Sequence, residues 1–145
     1  MGKRTKAREC AFQMLYQWAS SREPIGRVTE AFWSVRSTTD ETRARAERLA
    51  LGAHERIEAI DSVIQAASEN WRLDRMAPVD LNIMRIATYE LMAEVGTPVA
   101  VVLDEAVEMA RRFGEEDSPA FVNGVLDRVM RELKGSGEGT RVRGS

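Results

Sequence analysis

The sequence predicts an all-α fold. No segment sustains the period-two alternation of a half-buried strand, apolar residues recur at steps of three and four through most of the chain, and two segments open on a hydroxyl followed by proline, Thr97-Pro98 and Ser118-Pro119. In "KRTKARECAFQMLYQWA", from Lys3, residues Ala7, Cys10, Ala11, Met14, Leu15 and Trp18 share one helical stripe, so the first element is an amphipathic helix facing a core, ended by "SSREP". A shorter helix carries Val28, Ala31, Phe32 and Val35 and is closed by "STTDE", which also offers N-cap residues to the next element. That next element is expected to be the longest: Ala46, Ala50, Ala53, Ile57, Ile60, Ile64, Ala67 and Trp71 form a stripe suited to lie along a neighbouring helix, and its small residues favour close packing.

Pro78 ends the connector "RLDRMAP". Asp80 then stands where it can cap a helix with Ile83, Met84, Ile86, Ala87 and Leu91, apolar around much of its circumference and therefore expected to be central. The next helix is bounded by Thr97 as cap, Pro98 at its first position and Gly114 after Phe113; the last repeats the opening with Ser118 and Pro119. A tail from Gly135, rich in Gly, Ser and charge, has nothing to pack and is expected to be mobile. The expected organisation is an amino-terminal helical bundle over 1–76, a carboxy-terminal bundle over 77–134 and the tail over 135–145.

With 43% hydrophobic and 30% charged residues, the chain has the composition of a globular protein rather than a disordered one. Its net charge of −2 means that nucleic-acid binding must come from a local patch, and the cations Lys3, Arg4, Lys6 and Arg8 are the candidate. No apolar run approaches the ~20 residues that span a bilayer, and a cytoplasmic location is expected. One cysteine, Cys10, excludes an internal disulfide, and the single histidine, His54, stands at no metal-ligand spacing from it. No metal or cofactor is expected. Nor is catalysis: His54 lies mid-helix in "GAHERIE", Cys10 sits in an apolar stripe, and no glycine pattern cradles phosphate. Asp104, Glu105 and Glu108 of "DEAVE" read as a solvated helix face, with Glu108 paired to Arg112, before they read as a cation site.

Arg4, Arg8, Phe12 and Tyr16 follow one another at i,i+4 along the first helix, so cations lead into aromatics. One reading has them neutralise phosphates and stack unpaired bases; the other has Phe12 and Tyr16 pack against the second bundle with the cations merely solvated. The same helix can serve core and RNA on different faces.

"NWRLDRMAPVDLNIMRIATYEL" followed by "TPVAVVLDEAVEMARRFGEEDSPAFVNGVLDRV" resembles the carboxy-terminal half of the NusB family of bacterial transcription antitermination factors, and "KARECAFQMLYQW" resembles that family's first helix. The resemblance implies two small helical bundles packed together, no enzymatic activity, and binding of single-stranded boxA RNA of ribosomal operon leaders jointly with NusE, a small-subunit ribosomal protein, in an antitermination complex with RNA polymerase. It implies RNA contact at Arg4, Lys6 and Arg8, with Lys3 adding charge, and at Phe121 in "SPAFVNG". Beside Phe121, Asp117 is expected to repel the RNA backbone and restrain affinity. Tyr16, Asp80 and Arg85 match positions implied for the NusE-facing surface or its junction with RNA. The chain departs from the family's pattern at Thr5, Leu81 and Asp104. Two alternatives are a helical adaptor without RNA binding and a relative of the NusB-like domain of RNA cytosine methyltransferases, though no cofactor-binding βαβ pattern follows.

Overall fold

The structure, a computed structural model, describes residues 2–94 and 96–135, so the tail expected from Gly135 lies outside the described residues beyond its first position. Among the described residues there are seven α-helices and no strand: α1 Lys3–Ser21, α2 Ile25–Ser34, α3 Asp40–Glu55, α4 Ile57–Ala67, α5 Pro78–Ala93, α6 Val99–Phe113 and α7 Ser118–Gly135, with a 3-10 turn at Leu73–Arg75. The fold is all-α, as the periodicity predicts. Helix α1 packs on α2, α3 and α5, whereas α4 and α6 each pack on α7 and all three pack on α5. Helix α5 is thus the shared centre, and Ile83, Met84, Ile86 and Leu91 are at most 1% exposed. One continuous apolar core runs through all seven helices. No described helix is long and apolar enough to cross a membrane.

The expected long third element is two helices. Arg56, at φ −108° and ψ 23°, ends α3 and begins α4. The break divides the stripe: Ala46, Ala50 and Ala53 are buried on α3, which packs on α1, while Ile60, Ile64 and Ala67 are buried on α4, which packs on α7 and α5. Small buried side chains on both helices, Ala7 and Ala11 on α1 and Ala46, Ala50 and Ala53 on α3, suit the close packing of α1 on α3. Helix α4 therefore packs with the carboxy-terminal helices although it precedes residue 76. Helix α4 also stops at Ala67, so Trp71 leaves the stripe and stands 54% exposed. Helix α2 is phased differently from expectation: Val28, Phe32 and Trp33 are buried, and Val35 is 78% exposed at its end.

Local stop signals act by more than one means. Arg22 closes α1 in the left-handed region at φ 63°, its N–H bonded to the Trp18 carbonyl. Gly114 follows α6 as expected but at φ −100°, so the left-handed cap is not its role. A Cβ there would stand 2.5 Å from Ser118 Oγ and 2.9 Å from the Ala110 carbonyl oxygen. The close approach of α7 to the end of α6 is what excludes a side chain. Gly114→Ala is expected to destabilise by about 1–3 kcal/mol through overpacking, read from the urea unfolding midpoint; an unchanged midpoint would show that the turn yields freely. Ser118 is already the first residue of α7, and its Oγ accepts the Glu115 N–H at 2.9 Å, closing the loop. Asp80 likewise lies within the first turn of α5, with Ala77 at the cap position.

Candidate RNA interface

Each four-residue step along a helix turns a stripe by about 40°, so Arg4, Arg8, Phe12 and Tyr16 cannot all face the same surroundings. Arg4 is exposed and Tyr16 is 37% exposed, but Arg8 and Phe12 turn inward, at 2% and 3%. Phe12 meets Phe113 of α6, ring centroids 5.4 Å apart. The packing reading holds for Phe12.

Arg8 enters a carboxylate clamp at the junction of α1, α5 and α6. Its Nε and Nη2 donate to the two oxygens of Glu90 at 2.7 and 3.0 Å, and its Nη1 donates to Glu105 at 3.0 Å. Burial alone would lower the Arg8 pKa; hydrogen bonding and charge from Glu90 and Glu105 reverse that and raise it. Glu105 also accepts from the Thr5 hydroxyl at 2.6 Å, so α6 grips the first two turns of α1 twice. Arg8, expected at the RNA surface, is thereby withheld from solvent, and its carboxylates from α5 and α6 were not foreseen. Glu105 belongs to this clamp rather than to a solvated face, and Arg112 pairs with Glu9 while Glu108 pairs with Arg111.

What the clamp leaves outside is the basic end of α1. Lys3, Arg4 and Lys6 are exposed, and Lys3 makes a 3.1 Å ion pair with Glu41 in which both side chains remain mostly in water. Burial, and then the charge of Arg4, lowers the pKa of Arg45 on α3. The result is a concentrated positive field at one helix end, over a rigid base.

The other expected site residues lie toward the opposite end of α1. Pairing of Glu9 with Arg112 and of Phe12 with Phe113 aligns α1 with α6, so the loop after α6 falls about 14 Å along the helix axis from Lys3. Asp117 is exposed in that loop, and its carbonyl accepts the Phe121 N–H at 3.1 Å. Phe121 is half-buried and meets Trp71. Asp80 is buried at 6% beneath the same loop, with Oδ1 lacking a hydrogen-bond partner among the described residues. Arg85, half-buried, is held bidentately by Asp61 at 2.9 and 2.8 Å and also donates to Asn82. Asp80, Asp117 and Phe121 are thus brought together, whereas Lys3, Arg4 and Lys6 form a separate group. Tyr16 is exposed on α1, and Arg85 faces the carboxy-terminal end of α1, where it lines a depression with Trp18 and Arg22.

Burial raises the Asp80 pKa; a hydrogen bond from Ser118 opposes this, and the charges of Asp117 and Glu115 add to the rise. A carboxyl raised in the folded state takes up a proton on folding, so its stabilising contribution is full below the unfolded pKa and is lost as pH rises through the folded value. Asp80→Asn is accordingly expected to raise the unfolding temperature at neutral pH and to lose that advantage in acid. An equal effect at both pH values in thermal melts would contradict it.

His54 meets Trp18 edge-on at 4.8 Å, Cys10 is buried, and no group of three or more His, Cys, Asp or Glu among the described residues is placed to hold a metal ion. Fold and site together define an all-helical protein, built on one core, with a rigidly mounted cationic helix end, a class suited to contact with an anionic partner. The NusB family model matches residues 5–131, and the chain belongs to the NusB family. It is 47% identical over 133 residues to the transcription antitermination protein NusB of Sorangium cellulosum, covering 92% of this chain and 95% of that one. The corresponding protein of Trichlorobacter lovleyi is 46% identical over 129 residues, covering 89% and 91%. Among solved structures, NusB of T. maritima superposes with a TM-score of 0.82 at 34% identity, covering 91% and 92%. A crystal structure of antitermination factors NusB and NusE in complex with dsRNA superposes with 0.83 at 27% identity, covering 91% and 98%.

Proposed function

We propose that this protein is a transcription antitermination factor that binds boxA-type leader RNA of ribosomal operons jointly with NusE, within an antitermination complex with RNA polymerase. The observation that carries the reading is the exposed trio Lys3, Arg4 and Lys6, mounted on a clamped helix end in a chain whose relatives bear the antitermination name. Its work is binding rather than chemistry: RNA phosphates meet the basic end, NusE meets the surface around Tyr16 and Arg85, and both sit on one scaffold. Arg8 and Asp80 act from beneath, Arg8 by fixing the helix and Asp80 by supporting the loop before α7.

Fluorescence anisotropy with labelled boxA-type RNA and NusE tests this directly, in single-stranded form and as a duplex, because a structural relative was captured with dsRNA. Tighter binding of the single strand is expected. Binding of neither form in the presence of NusE would overturn the function, and preference for the duplex would overturn the single-strand reading. Asp117→Asn is expected to tighten RNA binding by a fraction of the ~1 kcal/mol that close charges exchange in water, more at low salt. Filter binding showing equal or weaker affinity would remove this loop from the RNA path.

A further inference from the structure

One exposed aromatic, Trp71, remains without a role. Trp71 follows α4 with its indole 54% exposed, yet its backbone is fixed at several points. Its N–H donates to the Ser68 carbonyl at 2.7 Å, and its carbonyl accepts from Gln65 Nε2 at 2.8 Å. The Gln65 oxygen then accepts the Leu73 N–H at 3.2 Å, so one amide from α4 pins the loop on both sides of the indole. The ring meets Phe121 of α7 near-perpendicularly, centroids 6.0 Å apart at 79°. A large aromatic held this firmly with more than half its surface open is preorganised for a planar partner, because little freedom remains to be lost on stacking.

Charge indicates the kind of partner. Arg72 and Arg75, both exposed, follow Trp71 on the same loop, with Arg72 in an exposed 2.8 Å pair with Asp74. Arg128 stands two turns beyond Phe121 on α7 and reaches the Ala67 carbonyl at the end of α4, 3.5 Å away, which brings a third guanidinium to the loop. A rigid ring face flanked by guanidinium groups is the arrangement that takes a single-stranded nucleic acid, base on the ring and phosphates on the cations.

We infer that the Trp71–Phe121 pair is a stacking platform for one unpaired base of the bound RNA, with Gln65 as its positioning residue and Arg72, Arg75 and Arg128 steering the adjoining phosphates. This rests on the RNA-binding reading above and adds Trp71 and its neighbouring arginines to the contact implied at Phe121, remote from the basic end of α1. The strand would then be held at both places, by charge at one and by stacking at the other.

The test combines Trp71 variants with RNA in which each nucleotide in turn is abasic, read by anisotropy with NusE present. Trp71→Ala is expected to weaken binding of intact single-stranded leader RNA about tenfold, and Trp71→Phe by less, since a smaller ring remains. Circular dichroism is expected to show both variants folded like the parent. In the parent, one abasic position is expected to cost a similar factor, and with Trp71→Ala that same position costs nothing further. Intact RNA binding as tightly to Trp71→Ala as to the parent overturns the platform and leaves the antitermination reading standing. A loss in Trp71→Ala that adds fully to every abasic position also overturns it, and assigns the ring to NusE. Failure of the parent to bind any RNA overturns both.

Discussion

Glu90→Ala is expected to destabilise the protein by about 3–5 kcal/mol, a large share of the ~5–15 kcal/mol that holds a domain folded. Glu90 is 1% exposed and accepts both arms of Arg8, while Arg45 stands 3.7 Å from its second oxygen. Removing the carboxylate leaves Arg8 with Glu105 alone and Arg45 with Glu94 at 3.7 Å, in a site with little water. Arg8→Ala is expected to cost less, because Arg45 remains beside Glu90 as a partner and Glu105 reaches solvent at 22% exposure. Replacing Arg8 by methionine and Glu90 by glutamine together is expected to recover part of the loss, since a neutral pair no longer buries an uncompensated charge. Urea unfolding midpoints give the order directly, and Glu90→Ala unfolding like the parent would refute the clamp.

The second large effect is on RNA. Replacing Lys3, Arg4 and Lys6 together by alanine is expected to reduce the slope of log affinity against log salt by about 2, near 0.7 for each single-strand phosphate contact released. The fold is expected to persist, since these side chains lie in water and the one ion pair they make among the described residues, Lys3 with Glu41, is exposed on both sides. Arg8 is excluded from this variant because its loss would confound binding with unfolding. Titrations at several salt concentrations that return the parent's slope would move the phosphate contacts elsewhere.

Features set by near neighbours in the chain were legible from sequence. The periodicity of α1, the starts of α6 and α7 and the apolar girth of α5 are written in adjacent residues, and the helices follow them within one or two positions. The fate of Arg8 was not, because an arginine one turn beyond other cations looks the same whether solvated or clamped, and its partners lie 82 and 97 positions away. Arg112 shows the same limit. A local pair with Glu108 fits the i,i+4 rule, but the 7%-exposed carboxylate of Glu9 gains more from a cation than an exposed one does. The break at Arg56 carries neither proline nor cap, and arises because the two halves of the stripe pack on different helices. A local stop signal does precede Trp71: Ser68 and Asn70 are turn-forming, and α4 ends at Ala67 just before them.

Joint binding is the centre of the functional account. The exposed cationic trio is small and the whole chain carries −2, so RNA held by this protein alone has a modest electrostatic hold. A partner that extends the RNA surface adds contacts to a strand already placed, and linkage requires RNA to tighten the partner's binding by the same factor. Isothermal titration calorimetry of boxA-type RNA into this protein, with and without saturating NusE, measures that factor. RNA affinity is expected to rise at least several-fold with NusE, with NusE affinity rising equally when RNA is present. Equal RNA affinity in both titrations would contradict joint recognition.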